Sequence, residues 1–179
     1  MISCSADGTL KVWNTNKMNL LSNIRVDFNP TCLAWSSDYT SFIVGSESAC
    51  YFYNVETSTL ISKFSHEWNV DSLLVDSIQN TFYVGSATGS VSIFDIKSGK
   101  LSDSFIAHSD SVTSLVRIDR QIVTTSHDCR VKWWEGSTCL QEYESGHLQQ
   151  EDKNGIWSID YSSGYLVSGG SDSVIKIYE

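Results

Sequence analysis

The stretch SHDCRVKWWE (126–135) is a tight polar turn running into a short segment of alternating apolar residues, the pattern of a β-strand entered from a hairpin. Working outward, RQIVTTS (120–126) reads as the strand before that turn and SVTSLVRID (111–119) as an inner strand before it. CLQEYES (139–145) reads as an outer fourth, with turn residues between all of them. Four antiparallel strands in about 40 residues make one blade of a β-propeller.

The unit recurs. SADGTLKVWN (5–14), SESACYFYN (46–54), ATGSVSIFD (87–95) and GSDSVIKIYE (170–179) repeat the turn-then-strand pattern. The anchor aromatics are Trp13, Tyr53, Phe94, Trp134 and Tyr178, at steps of 40, 41, 40 and 44 residues. A near-constant step of this length is the signature of repeat architecture. The chain has a single proline, Pro30, and no stretch keeps helical periodicity over the 11 or so residues a helix needs. The expected class is all-β.

These five units resemble the WD-repeat family, whose repeats close on Trp-Asp after a Gly-His about thirty residues earlier. Phe94-Asp95 keeps the terminal Asp; Trp13-Asn14, Tyr53-Asn54, Trp134-Glu135 and Tyr178-Glu179 are near variants. The resemblance implies, within a blade, a hydrogen-bonded chain of His, Ser or Thr, Asp and Trp. Unit four matches it throughout with His108, Thr124, Asp128 and Trp134, groups that would each be costly if buried without partners. Ser3, Asp7 and Trp13 in unit one, and His147, Ser168 and Asp172 in unit five, form partial sets. Units two and three carry Glu47 and Thr88 at the Asp position and Ile43 and Val84 at the hydroxyl position. His66 therefore loses its usual partners, and those blades are expected to rely on apolar packing.

His, Thr and Asp are also the residue types of a nucleophilic triad. Here they recur at blade spacing, as structural residues do and a single active site does not, so no enzyme, catalytic residue or cofactor is expected. The five cysteines form no Cys-x-x-Cys pair and lie in or beside apolar runs, where they read as reduced thiols; no metal site is expected. With a net charge of −9 and its 12 Lys and Arg scattered without a run, the chain is not expected to bind nucleic acid. No apolar stretch approaches the ~20 residues that span a bilayer. Membrane insertion is not expected, and the reading places the protein inside the cell, cytoplasmic or nuclear.

Strand counting gives eighteen strands: three in units one and five, four in each of the others. That amounts to a partial β-propeller of four-stranded antiparallel blades, about four and a half of them, expected as a fragment of a seven-bladed ring. The expected blades span 1–26, 27–65, 66–107, 108–146 and 147–179. Self-association is expected if the chain is truly this short, because open strand edges promote it.

In the family, partners dock on the flat face where the loops before the inner strands meet the turns between second and third strands. The resemblance carries this onto Asn69 and Asp71 around Val70, Ser111 and Thr113 around Val112, and Trp157 after Ile156. It also carries it onto His127 and Ser171 before their aspartates, and onto Arg130. Trp157 reads equally as an anchor for a partner or as packing against a neighbouring blade; for Trp68 the same two readings stand, with packing favoured. The loop LQQEDKNG (148–155) holds the extra residues of the last repeat. A phosphopeptide reader would need converging arginines, and only Arg130 lies near the expected face. The leading expectation is a non-catalytic protein–protein interaction scaffold within a multi-protein complex. A substrate-recognition module of a larger regulatory protein, such as a ubiquitin-ligase receptor or trafficking factor, comes second, and a channel-lining propeller enzyme third.

Overall fold

The computed structural model describes residues 1–36, 38–66, 68–76, 78–145 and 155–178. Its regular elements are eighteen strands in five antiparallel sheets, each sheet taking its strands in chain order. The first holds β1 (Ile2–Ser5), β2 (Thr9–Asn14) and β3 (Asn19–Arg25). The second holds β4 (Cys32–Trp35), β5 (Ser41–Gly45), β6 (Ala49–Asn54) and β7 (Leu60–Ser65). The third holds β8 (Val70–Asp76), β9 (Thr81–Ser86), β10 (Ser90–Asp95) and β11 (Leu101–Ile106). The fourth holds β12 (Val112–Ile118), β13 (Gln121–Ser126), β14 (Arg130–Glu135) and β15 (Thr138–Glu144). The fifth holds β16 (Ile156–Ser162), β17 (Tyr165–Gly170) and β18 (Ile175–Tyr178). The expectation of four and a half blades from a seven-bladed ring differs in detail from this arrangement, which is five blades, three of four strands and two of three.

Blades stack because their middle strands are apolar on both faces. Successive side chains of a strand point to opposite sides, so SFIVG in β5 and ACYFYN in β6 serve two interfaces at once. Phe42, Val44, Tyr51 and Tyr53 pack with Ile2, Leu10 and Val12 of the first blade. Ile43, Cys50 and Phe52, on the other face, pack with Val70, Phe82, Val84 and Phe94 of the third. Tyr83, Val91 and Ile93 then meet Val112, Leu115, Ile122 and Trp134. Val123 and Val131 meet Ile156, Ile159 and Leu166. Each core thus lies between blades. The inner strands follow one another in contact, β4 on β8, β8 on β12 and β12 on β16.

The close approach of inner strands depends on two glycines. A Cβ on Gly85 would lie 2.2 Å from Ser72 Oγ and 2.8 Å from Val112 Cγ1, and one on Gly45 would lie 2.6 Å from Val70 Cγ1. Real Cβ atoms essentially never approach so near, so a side chain there would push the blades apart. Beside the anchor aromatics a second device recurs. The pairing of third and fourth strands shifts by one residue just before Trp13, Tyr53, Phe94 and Trp134. An extra residue at each place increases the local twist.

Candidate partner-binding face

In the fourth blade, His108 leads into β12, Thr124 lies in β13, Asp128 in the following turn and Trp134 in β14. Their polar atoms close into a chain: Trp134 Nε1–H donates to Thr124 Oγ1 (2.8 Å). The hydroxyl lies 2.7 Å from His108 Nε2, and His108 Nδ1 lies 2.9 Å from Asp128 Oδ2. The self-consistent assignment has Thr124 O–H donating to Nε2 and Nδ1–H donating to the carboxylate. Asp128 also accepts the backbone N–H of Ser109 and Arg130. Burial pushes its carboxyl pKa up, but the bonds from His108 and those two amides outweigh this and hold it below the ordinary value. His108 is 2% and Thr124 0% exposed. The Thr124 hydroxyl is thus buried between the Trp134 indole and the His108 ring.

Elsewhere the chain is shortened. Trp13 Nε1–H donates to Ser3 Oγ at 2.9 Å, while Asp7 turns to the backbone and hydroxyl of Thr9. In the fifth blade Tyr178 replaces the indole and its hydroxyl lies 3.1 Å from Ser168 Oγ. Asp172 accepts the N–H of Val174. His147 lies outside the described residues, as do 148–154 of the loop entering the fifth blade, Glu67 and Glu179. With Ile43 and Val84 buried where a hydroxyl would stand, the second and third blades substitute aromatic packing. Phe82 stacks on Phe94 at 5.0 Å and Phe42 on Tyr53 at 5.5 Å. The His66 ring brings its Nε2 to 3.8 Å from Cys50 Sγ, and its buried Nδ1 has no side-chain partner among the described residues. Trp68 is half-buried, 6.1 Å from the His66 ring, with its indole N–H also unpartnered.

At the same end of the blades, three successive inner strands bulge at one register. Pairing skips a residue between Val70 and Ser72, between Val112 and Ser114, and between Ile156 and Ser158. The skipped residues are Asp71, Thr113 and Trp157, and bulges of this kind re-aim side chains near functional sites. Together with Ser111 and His127 they line one open cavity of about 500 Å³ across the third, fourth and fifth blades. Asp71 Oδ2 accepts the Ser111 hydroxyl at 2.5 Å, a bond between adjacent blades and between residues 40 apart.

Five of the eight expected contact residues therefore share a cavity. Two of them differ from expectation in exposure or contact. Ser111, expected to be exposed, is 7% exposed because its hydroxyl turns to Asp71. Arg130 pairs with Glu142 of β15 and is directed along the blade instead of into the mouth. Asn69 is exposed and Ser171 half-buried, and neither lines the cavity. Trp157 is 58% exposed. Sequence reasoning passed over Thr31, 40 residues before Asp71, whose hydroxyl donates to Val70 O across the blade boundary at 2.5 Å. The repeat step was the signal that could have found it.

The family model described as WD domain, G-beta repeat matches residues 1–14, 99–135 and 137–179, more than half of the sequence. This chain belongs to the WD-repeat family. The longest unmatched stretch, 15–98, holds the second blade and the first three strands of the third, where Ile43, Val84, Glu47 and Thr88 replace the polar chain. This WD-repeat chain is 31% identical to striatin of Mus musculus over 199 residues and to striatin-3 of Rattus norvegicus over 204. It is 31% identical to a striatin homolog of Dictyostelium discoideum over 205. These alignments cover 99% of the chain and 24–25% of each relative, so the chain spans about a quarter of the length of the curated relatives it matches. Among solved structures, the computationally designed Ika4 protein superposes with a TM-score of 0.71 at 20% identity, over 86% of this chain and 92% of that one. That likeness concerns the fold alone. No helix among the described residues is long and apolar enough to cross a membrane, and no group of three His, Cys, Asp or Glu among them could hold a metal ion.

Proposed function

We propose that this WD-repeat chain is a non-catalytic docking platform for other proteins. The bulged residues Asp71, Thr113 and Trp157 would form the contact surface. The observation that carries the reading is their convergence on one open cavity. An exposed tryptophan at a concave site is a frequent energetic centre of protein interfaces, and rigid strands hold it more firmly than a loop would. Asn69 and Ser171 form the rim of this surface. A recognition module within a larger regulatory protein is the second reading, favoured by the length of the striatin relatives.

The test is affinity purification of the tagged protein from cells, wild type against Trp157→Ala and, on the opposite end of the blades, Arg120→Ala. Co-purifying proteins are expected to be lost with Trp157→Ala and retained with Arg120→Ala, the thermal midpoints of both variants staying near wild type. Partners that survive Trp157→Ala would overturn this use of the face.

A further inference from the structure

The cavity has a chemistry that selects its occupant. Among the described residues that line it, Asp71 is the only carboxylate, and it accepts the Ser111 hydroxyl at 2.5 Å. A carboxylate has about four acceptor sites, so one hydroxyl leaves capacity for a forked donor. Trp157 offers an indole that is 58% exposed, the aromatic group best suited to a cation on its face.

Among the described residues, the turns and loops around the cavity are acidic. The turns and loops at this end of the blades carry Asp7, Asp27, Glu47, Asp110, Asp128 and Asp172 besides Asp71. Among the described residues of those loops there is no lysine or arginine. Among the described residues the lysines and arginines stand along the strands or at the opposite end, where Lys17, Lys97, Lys100 and Arg120 lie; Lys153, in the loop entering the fifth blade, is outside the described residues. Two of the described bases, on β14 and β18, are engaged: Arg130 with Glu142, and Lys176 Nζ with Ser145 O at 3.0 Å. Asp110 directly precedes Ser111 and Asp128 directly follows His127, so two further carboxylates adjoin cavity residues in the chain, and salt screens their field over roughly 8 Å under physiological conditions. A cavity of about 270 Å³ at the opposite end is lined by Arg117, Arg120 and Glu135, so bases stand in its wall, and Arg117 is paired with the buried Asp76.

We propose that the cavity receives an arginine side chain from a basic segment of a protein partner. Its guanidinium would lie on the Trp157 indole and donate to the Asp71 carboxylate. The inference rests on the docking reading above and narrows it to a partner chemistry. Arginine fits better than lysine because its planar fork matches a carboxylate and stacks on an aromatic face, whereas an ammonium is a compact, strongly hydrated point charge.

The test uses the 179-residue chain and capped Gly-Ser nonapeptides with two central arginines, or with citrulline, lysine or glutamate in their place. Binding is followed by fluorescence anisotropy, and site occupancy by the Trp157 indole N–H resonance, assigned from its absence in Trp157→Phe. The arginine peptide is expected to bind at least about tenfold tighter than the citrulline peptide at low salt and to weaken as salt rises. It is expected to move the Trp157 resonance and to lose about tenfold in Asp71→Asn, which keeps the size of the side chain. Asp119→Asn, at the opposite end, should change nothing. Equal binding of arginine and citrulline peptides, equal binding of lysine and arginine peptides, or an unaffected Asp71→Asn would each overturn the proposal. Should the peptides fail while Trp157→Ala still releases cellular partners, the arginine inference falls and the docking reading stands; retention of those partners by Trp157→Ala would remove the docking reading itself.

Discussion

Thr124 serves two buried groups with one hydroxyl, accepting from the Trp134 indole and donating to His108. Thr124→Val keeps its shape and orphans both, so it is expected to lose about 1–3 kcal/mol of stability in urea unfolding, with Thr124→Ser restoring most of it. At Asp128 the folded pKa lies below its ordinary value. A depressed carboxyl adds stability above its unfolded pKa, about 3.9, and that contribution fades as pH falls through the folded value. The stability gap between wild type and Asp128→Asn should therefore be flat near neutrality and shrink below about pH 4, as chemical unfolding across pH would read. His66 behaves in the opposite chemical sense, because burial holds its imidazole pKa below the ordinary value. Protonation then favours the unfolded chain, and stability is lost as pH falls below about 6.5. His66→Gln should flatten that slope. The polar chain of the fourth blade was legible residue by residue in the sequence because its members sit at fixed offsets within one repeat. The role of Ser111 was not, because its partner lies one blade away.

At the level of strands, Gly85 and Gly169 hold the same register position, paired with Ser72 and with Ser158. A Cβ at Gly85 meets Ser72 and Val112, whereas one at Gly169 meets nothing within 4 Å. Gly85→Ala is expected to cost about 1–3 kcal/mol through overpacking, while Gly169→Ala should be neutral or slightly stabilising. Thermal unfolding of the two variants side by side checks this. Both glycines read alike in sequence, as the close of a second strand. Only the neighbour across the blade boundary distinguishes them. The bulges were illegible for the same reason: a skipped pairing leaves the alternation of Val70, Val112 and Ile156 with their neighbours looking like ordinary strand, and it is the partner strand's register that reveals the extra residue.

Across the whole molecule, stability is a sum of blades and the interfaces between them. The three middle blades are covered on both faces, with Val84, Val91 and Val123 fully buried, while β18 leaves Ile175 and Ile177 74% and 66% exposed. Hydrogen exchange is therefore expected to protect the amides of β9, β10 and β13 longest and to release those of β18 first; uniform protection would show that the blades open as one unit.

The sequence by itself determined that there are five turn-and-strand units, that each folds into antiparallel strands, and that the fourth carries a complete polar chain. Those properties depend on pairings inside one hairpin or one blade, over separations that the repeat makes visible. Tertiary structure decided the rest. Asp71 and Ser111 meet only because the third and fourth blades stack. Asp7, Glu47, Asp128 and Asp172 share an end of the molecule only because every turn of the same type is carried to the same side. A net charge of −9 has no direction along a chain of scattered charges, and among the described residues it gains one when the blades carry these carboxylate turns to one face and leave the lysines and arginines along the strands or at the other end, beside Asp38, Asp95 and Asp119.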